Sequence, residues 1–156
     1  MKKIVNFINE KLVINKNTKI NKYHYQPKNK NELIKLIKKL INKHGDTADL
    51  NDIDTSKITD MSELFYQSSF NGDISDWDVS NVKYISYMFA RSEFTGENGD
   101  ISEWNVSNVI NMQSMFYKSM FNGDISNWDV SNVKDMENIF KNSPLEKNPP
   151  KWYKKS

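Results

Sequence analysis

Hydrophobic and polar residues recur along the chain in a block of about 24 residues. Residues 70–82 read FNGDISDWDVSNV, and residues 121–133 differ from them at one of thirteen positions. A third copy covers residues 99–109 and a weaker first copy covers 49–58. Equivalent apolar positions are Leu50, Ile74, Ile101 and Ile125, which are separated by 24, 27 and 24 residues. We therefore expect about four tandem repeats.

The apolar spacing changes within each repeat. Residues 76–79 read Asp-Trp-Asp-Val and alternate with a period of two, which predicts a short strand. Apolar residues then recur at intervals of three and four over 82–89, which predicts a short helix. This pattern predicts an α/β fold, namely a short leucine-rich-repeat-type solenoid of about four strand-helix repeats with parallel strands.

The repeat Phe-Asn-Gly-Asp-Ile-Ser-x-Trp-Asp-Val-Ser-Asn-Val resembles that of the BspA-like bacterial leucine-rich repeat proteins over about residues 50–145. Many members of that family are found at the bacterial cell surface. The resemblance implies a right-handed solenoid with a binding or adhesion role. It supplies no catalytic residues.

The segments outside the repeats are expected to act as caps. Residues 31–45 place Leu33, Leu36, Ile37, Leu40 and Ile41 on one helical face and end at Gly45, which predicts an N-terminal helical cap. Trp152 and Tyr153 are predicted to fold back on the last repeat. The expected divisions are a basic N-terminal segment with the capping helix (1–45), the repeats (46–145) and a C-terminal tail (146–156). Weaker patterns favour a short helix over 2–13 and a strand over 18–25.

The charge is segregated along the chain, although the net charge is only +2. Residues 1–45 hold twelve lysines against Glu10 and Glu32, whereas residues 46–140 hold seventeen acidic and five basic residues. The basic N-terminus suggests binding to nucleic acid or an anionic surface as an alternative function. The acidic repeats would repel phosphate, so we rank this alternative below binding to a protein.

Composition narrows the chemistry and the location. The chain has no cysteine, which excludes disulfides and thiol nucleophiles. No signal peptide, lipobox or run of about 18 apolar residues is recognised, so a cytoplasmic protein without membrane insertion is expected. The two histidines, His24 and His44, lie outside the repeats, and no nucleophile or phosphate-binding motif is present. We therefore expect no enzymatic activity and no cofactor. We also expect no metal, because the repeated aspartates lack the spacing of a calcium loop.

Two sets of residues are candidate binding surfaces. If Trp77 and Val79 point inwards as part of a core, the residues between them form an acidic stripe. The acidic stripe comprises Asp52, Asp54, Asp76, Asp78, Glu103 and Asp129. This stripe is interpreted either as a solvated face or as a docking surface for a basic partner.

The second set departs from the repeat pattern. Tyr84 and Tyr87 occupy positions that are polar in the other three repeats, which indicates selection for something other than the fold. With Arg91 and with Tyr66 and Tyr117 of the neighbouring repeats, they resemble the aromatic and arginine patches of protein interfaces. Packing against the N-terminal segment is the alternative explanation.

The sequence therefore predicts a protein-protein recognition module. Its partner is not identified by the residues, and self-association is an alternative. The missing export signal also suggests an intracellular phage or mobile-element product that inhibits a host protein.

Overall fold

The computed structural model describes residues 22–154. The predictions for residues 2–13 and for most of 18–25 lie outside this part of the chain. The described residues contain helix α1, Lys30–His44, and a single 3₁₀ turn, Pro144–Glu146. The remainder consists of turns and of isolated bridges between parallel segments.

Helix α1 begins and ends where its sequence favours it. The Asn29 side chain accepts a hydrogen bond from the Glu32 N–H at 3.1 Å and caps the first turn. The chain leaves the helix at Gly45, whose φ of 85° is easily adopted only by glycine. Leu33, Ile37 and Leu40 are buried in the same core as the first repeat. Helix α1 thus closes the N-terminal end of that core.

The prediction of a leucine-rich-repeat-type solenoid is wrong. In residues 22–154 no strand forms, and no helix occurs within the repeats. There is therefore no parallel sheet and no set of strand-helix units. Each repeat is built from successive tight turns, and the repeats pack on one another through single bridges and hydrogen bonds between turns.

The period-two pattern arises from two consecutive turns. The Trp77 N–H donates to the Ile74 carbonyl at 3.2 Å, and the Val82 N–H donates to the Val79 carbonyl at 2.9 Å. Both bonds close a turn of four residues. Trp77 and Val79 are buried because the chain bends on either side of Asp78. Burial on alternate residues therefore does not require an extended strand here.

The three-and-four spacing also has another cause than a helix. We call residues 60–67, 84–91, 111–118 and 135–142 the turn segments of repeats one to four. In the first, the Leu64 N–H donates to the Met61 carbonyl three residues back, whereas the Glu63 N–H donates to Ser86 in the next repeat. A helix would direct every N–H four residues back. A helix is therefore excluded here, because every second N–H group donates to the next repeat.

Positive φ angles complete this arrangement. Two residues in each turn segment have φ between 53° and 62°. These residues are Glu63, Gln67, Tyr87, Arg91, Ser114, Lys118, Asn138 and Asn142. A left-handed residue in the second central position is what a type II turn requires, and it breaks any helix.

Aromatic side chains in equivalent positions form the core. Phe65, Phe89, Phe116 and Phe140 stack at 5.6–6.0 Å between ring centroids. Phe70, Phe94 and Phe121 form a second column beside the first. Each tryptophan indole donates to the carbonyl of the preceding repeat, for example Trp77 to Leu50 at 3.0 Å. The tryptophans are thus core residues.

The C-terminal tail continues this column. The Trp152 indole donates to the Ile125 carbonyl at 2.8 Å. Each earlier tryptophan makes the equivalent bond to the repeat that precedes it. The rings of Trp152 and Tyr153 lie 5.7 and 5.1 Å from that of Phe140. The tail therefore folds back on the last repeat.

Candidate interaction surface

The repeated aspartates chiefly stabilise the turns. In each repeat, three equivalent positions carry a side-chain oxygen that accepts from the backbone N–H two residues later, an Asx turn. Eleven of the twelve positions make this bond, at 2.8–3.2 Å. The acceptors are Asp49, Asp54, Asp60, Asp73, Asp78, Asp100, Asn105, Asn111, Asp124, Asp129 and Asp135.

These hydrogen bonds shift the titration of the carboxylates. Partial burial acts to raise the pKa of Asp73, but hydrogen bonds from the Ser75 N–H and hydroxyl outweigh it and hold that pKa below its usual value. Burial likewise acts to raise the pKa of Asp60. The hydrogen bond from the Ser62 N–H and the Lys30 ammonium at 3.1 Å outweigh burial and lower that pKa. Both aspartates are therefore held in the charged form at neutral pH.

The acidic stripe is present as a set of positions, but its members do different things. Asp54, Asp78 and Asp129 turn an oxygen towards their own backbone in Asx turns. Asp52 accepts from both the backbone N–H and the ring of His24, at 3.1 and 2.6 Å. Asp76 and Glu103 are exposed, and within residues 22–154 their carboxylates accept no hydrogen bond from the protein. Two members of the stripe are thus available to a partner.

Tyr84 occupies the twelfth Asx position. It lies in the row where parallel bridges join Asp60, Tyr84, Asn111 and Asp135. A phenol cannot make the short bond that the other three side chains make to the backbone. Its side chain is instead 43% exposed. The second repeat therefore replaces a turn-stabilising residue with an aromatic ring at the surface.

Tyr87 breaks a second rule of the repeat. Its φ is 56°, at a position where the other repeats carry Glu63, Ser114 and Asn138. The left-handed conformation is costly for a bulky side chain and is best tolerated by glycine or asparagine. Tyr87 is half-buried.

The remaining candidates lie on the same turn segments. Tyr66 and Tyr117 occupy equivalent positions in repeats one and three, on either side of the buried Ala90. The Arg91 guanidinium lies 5.8 Å from the centre of the Tyr117 ring, within the range of a cation-π contact. Tyr66 is 40% exposed. We call Tyr66, Tyr84, Tyr87, Arg91 and Tyr117 the tyrosine surface.

A groove lies at the C-terminal end of the repeats. It has a volume of about 710 Å³ and runs between the fourth turn segment and the tail. Met136, Asn138 and Phe140 line one side, and Pro149 and Tyr153 line the other. Its lining carries both acidic and basic side chains, so it has no strong charge preference.

The repeats and their flanking segments match one protein family. Residues 33–152 match the model of the family described as Mycoplasma protein of unknown function, DUF285. The match covers more than three quarters of the 156 residues and includes all four repeats. The chain belongs to this family. No curated protein and no solved structure matches it.

One exposed residue of this DUF285 protein was missed in the sequence. Met120 is 56% exposed and follows the third turn segment. The equivalent residues in the other repeats are Ser69, Glu93 and Pro144. The same comparison of repeats that singled out Tyr84 would have identified Met120 as an apolar residue at a position that is polar in the first two repeats.

Other classes of site find no support in the residues that can be described. Between Lys22 and Lys154, no three histidine, aspartate or glutamate side chains cluster in a way that could hold a metal ion. No helix in this part of the DUF285 protein has the length and apolar character needed to cross a membrane. The absence of catalytic activity stays a prediction.

Proposed function

We propose that this DUF285 protein is a non-enzymatic recognition module that binds a protein partner through the tyrosine surface. The observation that carries the proposal is the pair Tyr84 and Tyr87. Both replace the residue types that the turns favour, and both lie on the same turn segment. Residues that oppose local stability are expected where function requires them.

The cost of these two tyrosines supports a functional role. Tyr84 forgoes an Asx turn made at every other equivalent position, and Tyr87 has a backbone conformation unfavourable for a large side chain. Neither fills the core. A purely structural repeat would keep asparagine or aspartate at these positions, as the other copies largely do.

The chemistry of the surface fits a protein partner. Tyrosine and arginine are enriched among the residues that dominate binding energy, because they combine a large apolar area with hydrogen-bonding groups. Tyr66 and Tyr84 are exposed, and Arg91 is held beside Tyr117. A partner that covers these rings would bury apolar area while satisfying the phenol and guanidinium groups.

The resemblance of the repeats to those of BspA-like proteins also belongs to this proposal. That resemblance implies binding rather than catalysis, in agreement with the surface described here. The turns and the aromatic columns are observed in the structure itself and are independent of this resemblance. The expected cytoplasmic location stays a prediction.

Replacing the tyrosines with the residues of the other repeats tests the proposal. Tyr84→Asn should restore the Asx turn, and Tyr87→Asn should relieve the unfavourable φ, so the double variant should be at least as stable as the wild type. We expect it to lose binding by at least about tenfold, since two interface aromatics are removed. Wild type and variant are used as bait in a lysate of the source organism, and captured proteins are identified by mass spectrometry and quantified by titration.

The control is Asp76→Asn/Glu103→Gln, which neutralises the two available carboxylates of the acidic stripe. A protein captured by the wild type and by this control but not by the tyrosine variant supports the proposal. A partner that Tyr84→Asn/Tyr87→Asn still binds with full affinity refutes it. Recovery that depends only on nucleic acid, and is abolished by nuclease, favours the basic N-terminal region instead.

A further inference from the structure

Neighbouring turn segments are joined by backbone hydrogen bonds that run in one direction, from each segment to the next. At each junction, four alternate N–H groups of one turn segment donate to four alternate carbonyls of the next, at 2.8–3.0 Å. In the first junction, for example, Met61 donates to Tyr84 and Glu63 donates to Ser86. The intervening N–H groups close turns within their own segment. Each turn segment thus presents donors on one edge and acceptors on the other.

The fourth turn segment ends this series with unused donors. Within residues 22–154, the N–H groups of Met136, Asn138 and Phe140 meet no acceptor, although their equivalents in the three earlier repeats all do. The Asn142 N–H, the fourth of the set, donates to the Glu146 carboxylate at 2.8 Å. We call the N–H groups of Met136, Asn138 and Phe140 the donor row.

An ordinary extended peptide does not match the donor row well. The edge of a β-strand alternates N–H and carbonyl groups, so a strand placed here would bring its own donors to this edge. The carbonyls of Met136, Asn138 and Phe140 are already bonded to N–H groups in their own turns. A strand would therefore leave N–H groups unpaired, which costs free energy. The complementary partner is a segment that offers acceptors alone.

The first turn segment of the same chain offers such an edge. The carbonyls of Asp60, Ser62, Leu64 and Tyr66 are the equivalents of those used at every internal junction, and no donor from the described residues reaches them. We call these four carbonyls the acceptor row. Its spacing matches the donor row because both belong to the same repeat. The two ends of the molecule are therefore complementary.

We propose that a second copy of this chain docks in the C-terminal groove, with its acceptor row bonded to the donor row of the first. Asn138 of one molecule then faces Ser62 of the next, in the register that each internal junction already uses. The groove of about 710 Å³ beside Met136, Asn138 and Phe140 provides the space for the incoming segment.

Side chains at the two ends suit this register. Lys141 would stand beside Tyr66 of the neighbouring copy, because the two residues occupy equivalent positions in their turn segments. Asp135 would stand beside Asp60 of the neighbouring copy, which Lys30 already neutralises at 3.1 Å. Because the two contacting edges differ, association is head-to-tail and does not close at a dimer.

A charge placed in the predicted contact tests the register. Asn138 and Glu63 occupy equivalent positions in the fourth and first turn segments. In the proposed register, Asn138 of one copy therefore lies beside Glu63 of the next. Asn138→Asp keeps the size of the side chain and tolerates its positive φ, but sets two carboxylates side by side. Glu63→Lys combined with Asn138→Asp converts that repulsion into attraction. Asn127→Asp adds the same charge at an exposed position away from the groove.

The full-length variants are compared by sedimentation velocity over roughly 1 µM to 1 mM protein, the range of weak association. We expect wild type and Asn127→Asp to associate with rising concentration. Asn138→Asp should lower the association constant by up to about fivefold at low salt, and the double variant should recover it. A wild type that remains monomeric throughout this range overturns the proposal. The proposal is also overturned if Asn138→Asp associates as strongly as wild type or Asn127→Asp. The same holds if adding Glu63→Lys to Asn138→Asp does not restore the association constant.

Discussion

At the scale of single residues, aspartate and asparagine decide the shape of the backbone in this protein. Eleven side-chain oxygens close Asx turns, and asparagine serves as well as aspartate at Asn105 and Asn111. A neutral carbonyl oxygen is therefore sufficient to make the turn. The charge is an addition that matters only where hydrogen bonds lower the pKa of the carboxyl group.

Asp73 provides a test of both contributions. Its pKa is lowered in the folded protein from 3.8, so its extra stabilisation is present above about pH 4 and is lost as the pH falls through the folded pKa. Asp73→Asn keeps the acceptor oxygen and removes this dependence. The stability difference between wild type and Asp73→Asn should therefore shrink between about pH 7 and pH 3, measured by urea unfolding.

Asp73→Ala serves as the control because it removes the acceptor altogether. It should cost about 2 kcal/mol at neutral pH, because it removes two hydrogen bonds from Ser75 that contribute about 1 kcal/mol each. Identical pH dependence in wild type and Asp73→Asn would contradict the explanation.

At the scale of elements, the turn segment replaces both the strand and the helix that the spacing predicts. Met61 and Phe65 are buried four residues apart, as on a helix, but Glu63 and Gln67 have positive φ. The sequence could not reveal this, because every second N–H of the segment bonds to a carbonyl in another repeat. Asn81 also bonds to a residue far away in the sequence. It precedes the predicted helix over 82–89, but its side chain donates to the Ser56 carbonyl of the preceding repeat at 2.8 Å and caps no helix.

The C-terminal tail is the element whose contribution is most easily measured. Trp152→Phe retains an aromatic ring against Phe140 but removes the donor to Ile125, and should cost about 1 kcal/mol. Trp152→Ala also removes the packing and should cost about 2–3 kcal/mol, below the range for a fully buried aromatic because Trp152 is only partly buried. Both values come from urea unfolding. An alanine variant within about 0.5 kcal/mol of the wild type would show that the tail does not stabilise the last repeat.

At the scale of the whole molecule, the aromatic columns join the four repeats into one core. Phe89 lies between Phe65 and Phe116, at 5.6 and 5.7 Å, and also contacts Phe94 at 4.5 Å. The core extends from α1 to Trp152 without interruption. We therefore expect these repeats to unfold together.

Phe89→Ala tests that continuity. Loss of a fully buried phenylalanine should cost about 3–5 kcal/mol, because the surrounding core relaxes only partially around the cavity left behind. Circular dichroism and tryptophan fluorescence should report the same lowered midpoint if the repeats form one cooperative unit. Met120→Ser, at an exposed position, should stay within about 0.5 kcal/mol of the wild type. Separate transitions for the two probes would contradict a single core.

The sequence by itself determined the repeat length, the residues of the core and the departures at Tyr84 and Tyr87. These follow from comparing equivalent positions, which requires only that the repeats share one conformation. The tertiary structure alone decided what that conformation is. Burial on one side of a segment produces the same apolar spacing whether the chain forms strands, helices or turns, and here the hydrogen bonds that choose between them join residues about 24 positions apart.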